Sequence, residues 1–190
     1  MARALRHLLV YWFQVKLRGD RMMKKQKGFS LIELLIVVAI ILIIAAIAIP
    51  NLMRSRMAAN EASAVGSLRT INTAEVTYFT NYGTGFAPLG NLGGAIGAVC
   101  VASSATACLI DGLLSNGTKT GYVMATPIPG GLGTIAAPNT TYVSNAQPST
   151  PGQSGTRTFC SDESGVIRND PTGAVVAATL AACQALNAIQ

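Results

Sequence analysis

Hydrophobic residues are concentrated in one long run near the N-terminus. The nineteen residues from Leu31 to Ile49 include a single charged side chain, Glu33. As a helix the run would rise roughly 28 Å, which is about the thickness of the hydrocarbon core of a bilayer. An ordinary secretory signal carries its small-residue cleavage site after the apolar region, whereas Gly28 stands before this one. The pattern therefore predicts a transmembrane helix that a cut at Gly28 would leave on the mature chain.

The chain after this run has the period of an amphipathic helix. Between Pro50 and Tyr82 the larger apolar residues fall mostly three or four positions apart, or in multiples of that spacing: Met57, Val65, Leu68, Ile71 and Tyr78. One face of the helix should therefore pack on the rest of the chain. Pro50 lacks an amide hydrogen and its ring crowds the carbonyl of Ala46, which predicts a bend or local unwinding there. Gly83 and Gly85 predict the end of the helix.

Short extended runs bounded by turn residues follow in the C-terminal half. Four of them are rich in β-branched and aromatic residues, at 121–127, 140–146, 156–161 and 166–169. The Asp-Glu-Ser-Gly sequence at 162–165 predicts a hairpin turn, and residues 148–152 a longer loop. The predicted fold class is α+β: a long N-terminal α-helix packed on a small antiparallel β-sheet of three or four strands.

Two segments lack such a pattern. Residues 83–117 are rich in Gly, Ala and Ser, which predicts an irregular connection with room for a short helix. The alanine-rich tail at 174–189 could be helical, provided that packing or a bond at Cys183 holds it.

The positive charge lies almost entirely before Phe29. Eight Lys and Arg residues and one acid precede it, a net charge of +7, whereas six bases and seven acids follow, a net charge of −1. Nucleic-acid binding by the body of the chain therefore loses its electrostatic support, and we expect no specific nucleic-acid binding. Lys24, Lys25 and Lys27 directly precede the apolar run, so they should stay on the cytoplasmic side and the body should lie outside.

The four cysteines fall in the part of the chain expected outside the cytoplasm, where disulfides persist. They are Cys100, Cys108, Cys160 and Cys183. Their spacing contains no CxxC pair and gives no zinc signature. Sequence proximity favours Cys100 with Cys108 and Cys160 with Cys183, among three possible connectivities.

Catalytic chemistry has little support in the sequence. The sole histidine, His7, precedes the apolar run, which excludes a His-based triad or a His-ligated metal from a chain cut at Gly28. Asp162, Glu163 and Asp170 cluster near the predicted hairpin and could bind a cation, but solvated turn residues explain them more simply. We expect no catalytic residues, no metal and no cofactor.

The string KQKGFSLIELLIVVAIILIIAAIAIP, from Lys25 to Pro50, closely resembles the class III signal region of type IV prepilins. It has a basic leader, Gly28, Phe29, a hydroxyl at Ser30 and Glu33 as the fifth residue counted from Phe29. The resemblance covers residues 22 to about 83. Further on, GYVMATP and RTFCSDESGVIRNDPTG look like the sheet and final hairpin of a pilin soluble domain.

The resemblance implies a division of the chain and a processing reaction. Residues 1–28 would be a leader, 29–50 the transmembrane and assembly helix, 51–83 an amphipathic helix, and 84–190 a globular head with a disulfide-linked C-terminal region. A prepilin peptidase would cut between Gly28 and Phe29, and the new amine of Phe29 would be methylated. Residues 1–21 fit this pattern poorly, so we expect translation to start at Met22 or Met23; an authentic long leader is the alternative.

The resemblance also implies roles for Glu33 and Pro50 in assembly. Glu33 would neutralise the N-terminal amine of an adjacent subunit, and Pro50 would let the helix unwind locally, although a simple kink fits as well. The simpler alternative for Glu33 is a carboxylate hydrated at the membrane interface or attracted by the helix N-terminus. Some pilins have been proposed to carry electrons along stacked aromatics, but core packing explains the cluster Tyr78, Phe79, Tyr82 and Phe86 more simply.

The function implied is that of a structural subunit of a type IV pilus, a helical homo-oligomeric filament serving adhesion, motility or DNA uptake. Its partners would be prepilin peptidase and an inner-membrane assembly platform. The precursor would cross the inner membrane once before joining an extracellular pilus. A pseudopilin of a type II protein secretion system is the alternative, since it shares the N-terminal segment. A monomeric membrane-anchored binding protein would have no need of Glu33.

Overall fold

The structure, a computed structural model, describes residues 29–129, 131–174 and 176–189. The chain divides into two compact units, Met1–Ala46 and Ile47–Gln190, and the sheet, the core and both disulfides belong to the second. The predictions for the leader, including Gly28 and the start site, lie outside the described residues.

The predicted helices form one element, α1, which spans Leu31–Tyr82 and contains 52 residues. The helix is unbroken at Pro50, so the local unwinding considered there is not present in this structure, and a bend stays a prediction. At the other end the amide of Gly83 donates to the carbonyl of Phe79 at 3.0 Å, and Gly83 has a φ of +67°. This left-handed conformation is one that glycine adopts at little cost, so the predicted glycine stop is confirmed.

The sheet has six antiparallel strands in sequence order rather than the three or four predicted. They are β1 Thr118–Lys119, β2 Tyr122–Ala125, β3 Val143–Pro148, β4 Thr158–Asp162, β5 Ile167–Asp170 and β6 Asn187–Ala188. The four predicted runs correspond to β2 through β5. The additional strands, β1 and β6, are two-residue edges that pair with β2 and β5. They are too short to show a period-two pattern, so only their position against a longer neighbour defines them.

Three short helices complete the second unit: α2 Leu89–Leu92, α3 Gly112–Ser115 and α4 Leu180–Gln184. The first two lie in the segment where the sequence left room for a short helix. Of the tail at 174–189 that the sequence allowed to be helical, only residues 180–184 are helical among the described residues, and the chain after α4 turns back and pairs with β5. The amide of Ile189 donates to the carbonyl of Ile167 at 2.9 Å, which fixes that return.

The two faces of the sheet have different covers. One face packs on α1 in a core that includes Leu68, Ile71, Tyr122 and Phe159. On the other face Val143 and Cys160 pack against the C-terminal segment through Ala177 and Cys183. The structure bonds Cys160 to Cys183 and Cys100 to Cys108, each with a Cα–Cα distance of 5.9 Å. This is the pairing that sequence proximity favoured.

Candidate functional site

The N-terminal part of α1 exposes a continuous apolar surface. Phe29 is 76% exposed and Leu31 is 81% exposed, and no residue from 29 to 49 is buried. Among the described residues, α1 is the one helix long and apolar enough to cross a membrane by length and composition. Water penalises an exposed apolar surface of this extent, so the segment requires lipid or other apolar helices around it.

Glu33 is the only charged side chain on that surface, and it lies in the first turn of α1. The carbonyl of Ser30 accepts the first helical hydrogen bond, from the amide of Leu34 at 3.2 Å. Glu33 is exposed and has no hydrogen-bond or ion-pair partner among the described residues. The helix N-terminus favours a negative charge at this position, but an unpaired carboxylate in hydrocarbon costs several kcal/mol. A cationic partner from outside the chain would remove that cost.

Phe29 stands two residues before α1 and four before Glu33. A cut at Gly28 would therefore place a new amine and the lone carboxylate at the same end of the helix. Gly28 itself lies outside the described residues.

The second unit holds an ion pair between the buried carboxylate of Glu61 on α1 and the half-exposed side chain of Arg157, directly before β4. The carboxylate of Glu61 accepts the amides of Thr156 and Arg157 at 3.0 and 3.2 Å, and Nη2 of Arg157 lies 2.7 Å from its Oε2. Burial disfavours the ionised form, but these hydrogen bonds and the guanidinium outweigh it and hold the pKa of Glu61 below its ordinary value. The contact fixes the helix on the sheet.

Glu75 is buried on the same face of α1 without a cationic partner. Its Oε2 accepts the amide of Ala87 at 2.9 Å, and its Oε1 has no hydrogen-bond partner among the described residues. Burial raises the pKa of Glu75 to about 8, because the one amide donor compensates only part of the lost hydration. Glu75 is therefore mostly protonated at neutral pH.

The acidic residues near the β4–β5 turn are not all solvated, which corrects the simpler interpretation of them. Asp162 is fully buried and accepts from Arg168 at 3.0 Å, from the amide of Ser164 at 3.0 Å and from the Ser164 hydroxyl. Asp170 is buried and accepts from Thr172, whereas Glu163 is exposed. No group of three metal-ligating side chains occurs in the part of the chain that the structure describes.

The aromatic cluster at the end of α1 belongs to the packing of the head. Tyr78 is buried and its hydroxyl donates to the carbonyl of Ser104 at 2.6 Å. The ring of Phe86 lies 5.2 Å from Phe79 and 4.6 Å from Tyr142, between ring centroids. These contacts support core packing, and they include Tyr142, which sequence reasoning did not place in the cluster.

The comparisons with known proteins point to the same N-terminal segment. Residues 23–49 match the family described as the prokaryotic N-terminal methylation motif. This chain carries a prokaryotic N-terminal methylation motif. A type IV major pilin of Myxococcus xanthus is 42% identical over 64 residues, which are 34% of this chain and 29% of the relative. A type IV wide-pilus major component of Thermus thermophilus is 62% identical over 39 residues, 20% of this chain and 30% of the relative.

The matched segments span less than a third of each relative. No solved structure matches the chain at a significant level. The resemblance to type IV pilins inferred from the sequence is thus confirmed through the methylation motif and through relatives that are major pilus components.

Sequence reasoning missed Glu61 and Glu75, although a signal for them exists. They lie seven residues before and seven residues after Leu68, so they fall on the apolar stripe of α1. An acid on an apolar stripe must be paired or neutral. Which of the two applies depends on residues far along the chain, Arg157 for Glu61 and Ala87 for Glu75.

Proposed function

We propose that this chain is the precursor of a structural subunit of a type IV pilus. The observation that carries the proposal is the apolar segment at 31–49, in which no residue is buried and Glu33 is the one charge, inside a methylation motif. Cleavage between Gly28 and Phe29 leaves this segment on the mature chain as residues 29–50. The head, residues 84–190, stays outside the cytoplasm. The subunit has no enzymatic role; prepilin peptidase supplies the chemistry.

Assembly exchanges one apolar environment for another. In the precursor, lipid surrounds the apolar segment; in the filament, the same segments of other copies surround it. Transfer between two apolar environments changes the hydrophobic free energy little, so close packing and polar contacts decide the direction. Small residues that allow close approach of helices recur along the segment, at Ala39, Ala45, Ala46 and Ala48.

Glu33 supplies the polar contact. Its carboxylate lacks a partner within the described residues, and the methylated amine of Phe29 in a neighbouring copy carries the complementary charge. Pairing the two removes the cost of an isolated carboxylate in an apolar environment. The pair also sets the register, because a shift along the helix would separate the charges.

The names of the relatives favour a pilus over a secretion pseudopilus. Both relatives are major components of type IV pili. The chain then crosses the inner membrane once as a precursor, contacts an assembly platform there, and ends in an extracellular filament.

Substitution of Glu33 tests this function. We expect Glu33→Gln to be processed normally but to reduce the filament recovered by shearing at least tenfold, since the amide lacks the charge that the amine requires. Glu163→Gln is the matched control, because Glu163 is an exposed acid on the head, and its filament yield should equal that of the parent. Electron microscopy and mass spectrometry of the sheared fraction give the readout. Parental filament yield with Glu33→Gln would refute the pairing.

A further inference from the structure

The two disulfides of the second unit lie in different surroundings. Cys160 and Cys183 are both fully buried. Cys100 is exposed and Cys108 is half-buried. The chain beside Cys100 also faces solvent, because Val99 is 93% exposed. Thiol–disulfide exchange requires that a thiolate reach one of the two sulfurs, so a reductant has better access to the Cys100–Cys108 bridge than to the buried one.

Cys108 has an unusual backbone conformation. Its φ is +58°, in the left-handed region that is costly for a residue with a Cβ atom. The amide of Ala107, just before it, donates to the carbonyl of Asn91 on α2 at 2.7 Å. The amide of Leu109, just after it, donates to the carbonyl of Leu92 on α2 at 2.7 Å. Strained conformations persist only where several contacts enforce them, and the disulfide is the third such contact here, so its loss favours relaxation of Cys108.

The loop that the bridge closes, residues 101–107, rests on two helices. The carbonyl of Ser104 accepts from the hydroxyl of Tyr78 on α1 at 2.6 Å and from the side-chain amide of Asn91 on α2 at 3.2 Å. Within the loop, Ser103 and Thr106 exchange backbone hydrogen bonds at 3.0 and 3.1 Å. Segments held by a few polar contacts at the surface open locally at low cost, so the attachment of this loop depends on the disulfide.

We propose that Cys100–Cys108 is a redox-sensitive clasp, which a dithiol reductant opens while Cys160–Cys183 stays closed. A thiolate of the dithiol attacks Sγ of Cys100 and forms a mixed disulfide, and Cys108 leaves as a thiolate that takes up a proton. The second thiol of the dithiol loses its proton and displaces Cys100 in the same way. The bridge thereby gains two electrons and two protons, and the dithiol is oxidised to a disulfide. Cys108 then relaxes from its left-handed conformation, and the loop separates from α1 and α2.

Graded reduction of the full chain in detergent micelles tests the selectivity of the clasp. Dithiothreitol is the reductant, and the thiols that it frees are trapped by alkylation and located by mass spectrometry. We expect Cys100 and Cys108 to be alkylated at least about tenfold faster than Cys160 and Cys183, because exchange follows the access of the thiolate to sulfur. Equal rates for the two pairs, or earlier opening of the buried pair, would overturn the proposal.

Hydrogen exchange measures whether opening the clasp releases the loop. With only Cys100–Cys108 reduced, the amides of Ala107 and Leu109 should exchange at least about tenfold faster than in the oxidised chain, since both flank the relaxing Cys108. The amides of β3 should exchange at the same rate in both states, which distinguishes local release from general unfolding. Unchanged exchange at Ala107 and Leu109 after reduction would overturn the proposed release.

The double variant Cys100→Ser, Cys108→Ser is the matched control. Without reductant it should already show the fast exchange at Ala107 and Leu109, and dithiothreitol should change it no further. Exchange as slow as in the oxidised parent would contradict the role of the disulfide. None of these measurements requires a filament, so their results are independent of those that test the proposed function.

Discussion

At the scale of single residues, burial raises the pKa of both Glu61 and Glu75, but their different partners leave the pKa of Glu61 below its ordinary value and that of Glu75 above it. Glu61 meets Arg157 and two backbone amides, which keep it ionised. Glu75 meets a single amide, that of Ala87, and is kept mostly neutral. The difference comes from partners far along the chain and not from α1.

The stability of the head should fall as the pH rises through the titration of Glu75. Its pKa is about 8 in the folded chain against 4.5 for an ordinary glutamate. Between these values the folded chain holds a proton that the unfolded chain has released, so the free energy of unfolding decreases with pH. This contribution is fully present below about pH 4.5 and is lost above about pH 8.

Glu75→Gln tests this, because the amide still accepts from Ala87 but does not titrate. Urea unfolding of the full chain in detergent, from about pH 5 to pH 9, should show a loss on the order of 2–4 kcal/mol for the parent. The variant should show a much flatter profile, while the exposed-site control Glu163→Gln should keep the parental slope. Parallel profiles for the parent and Glu75→Gln would contradict the assignment.

Loss of Glu61 should be among the most destabilising single changes on α1. Glu61→Ala leaves the amides of Thr156 and Arg157 without their acceptor and the guanidinium without its counter-charge, which costs on the order of 3 kcal/mol. Lys119→Gln is the control, since it removes the more exposed pair with Asp111, whose atoms lie 2.6 Å apart, and should cost less than about 1 kcal/mol. The midpoints of urea unfolding measure the loss of stability in both variants. Similar losses for the two variants would argue against a structural role for the buried pair.

At the scale of elements, the two disulfides should differ in their contribution to stability. Cys160–Cys183 closes a sequence separation of 23 residues and is buried between β4 and α4, whereas Cys100–Cys108 closes 8 residues at the surface. Replacing Cys160 and Cys183 by Ala should cost about 3 kcal/mol, because it frees a longer loop and opens the packing under α4. The Cys100 and Cys108 double variant is the matched comparison. A larger loss from that surface pair would contradict this account of the C-terminal segment.

The sequence predicts the elements in which apolar residues recur at a regular spacing, and it misses the elements that lack such a spacing. Helix α1 and strands β2 to β5 follow from the spacing of apolar residues, and Gly83 marks the end of α1. The edge strands β1 and β6 have two residues each, so no period is visible. The tail was expected to be more helical because alanine favours helix, but pairing with β5 overrides that preference after α4.

The candidate site likewise contains residues that the sequence indicates and residues that it does not. Phe29 and Glu33 are recognisable in the sequence because they belong to a contiguous motif. The contact of Glu61 depends on Arg157, which lies 96 residues further along the chain, so no local pattern indicates it.

At the scale of the whole molecule, the apolar side chains fall into two groups, one buried in the core of the second unit and one exposed on the segment at 31–49. The second unit has its own core and both disulfides, whereas no residue of the segment at 31–49 is buried. A protein with this distribution is complete only in lipid or among copies of itself. The proposed function therefore requires that the mature chain keeps the apolar segment at 31–49.

Mass spectrometry of the N-terminal peptide from sheared filaments measures where the filament polypeptide begins. We expect it to begin at Phe29, to carry a methyl group on its amine and to retain the segment that contains Glu33. Filaments without this chain, or a filament polypeptide that begins at any other residue, would contradict the proposed function.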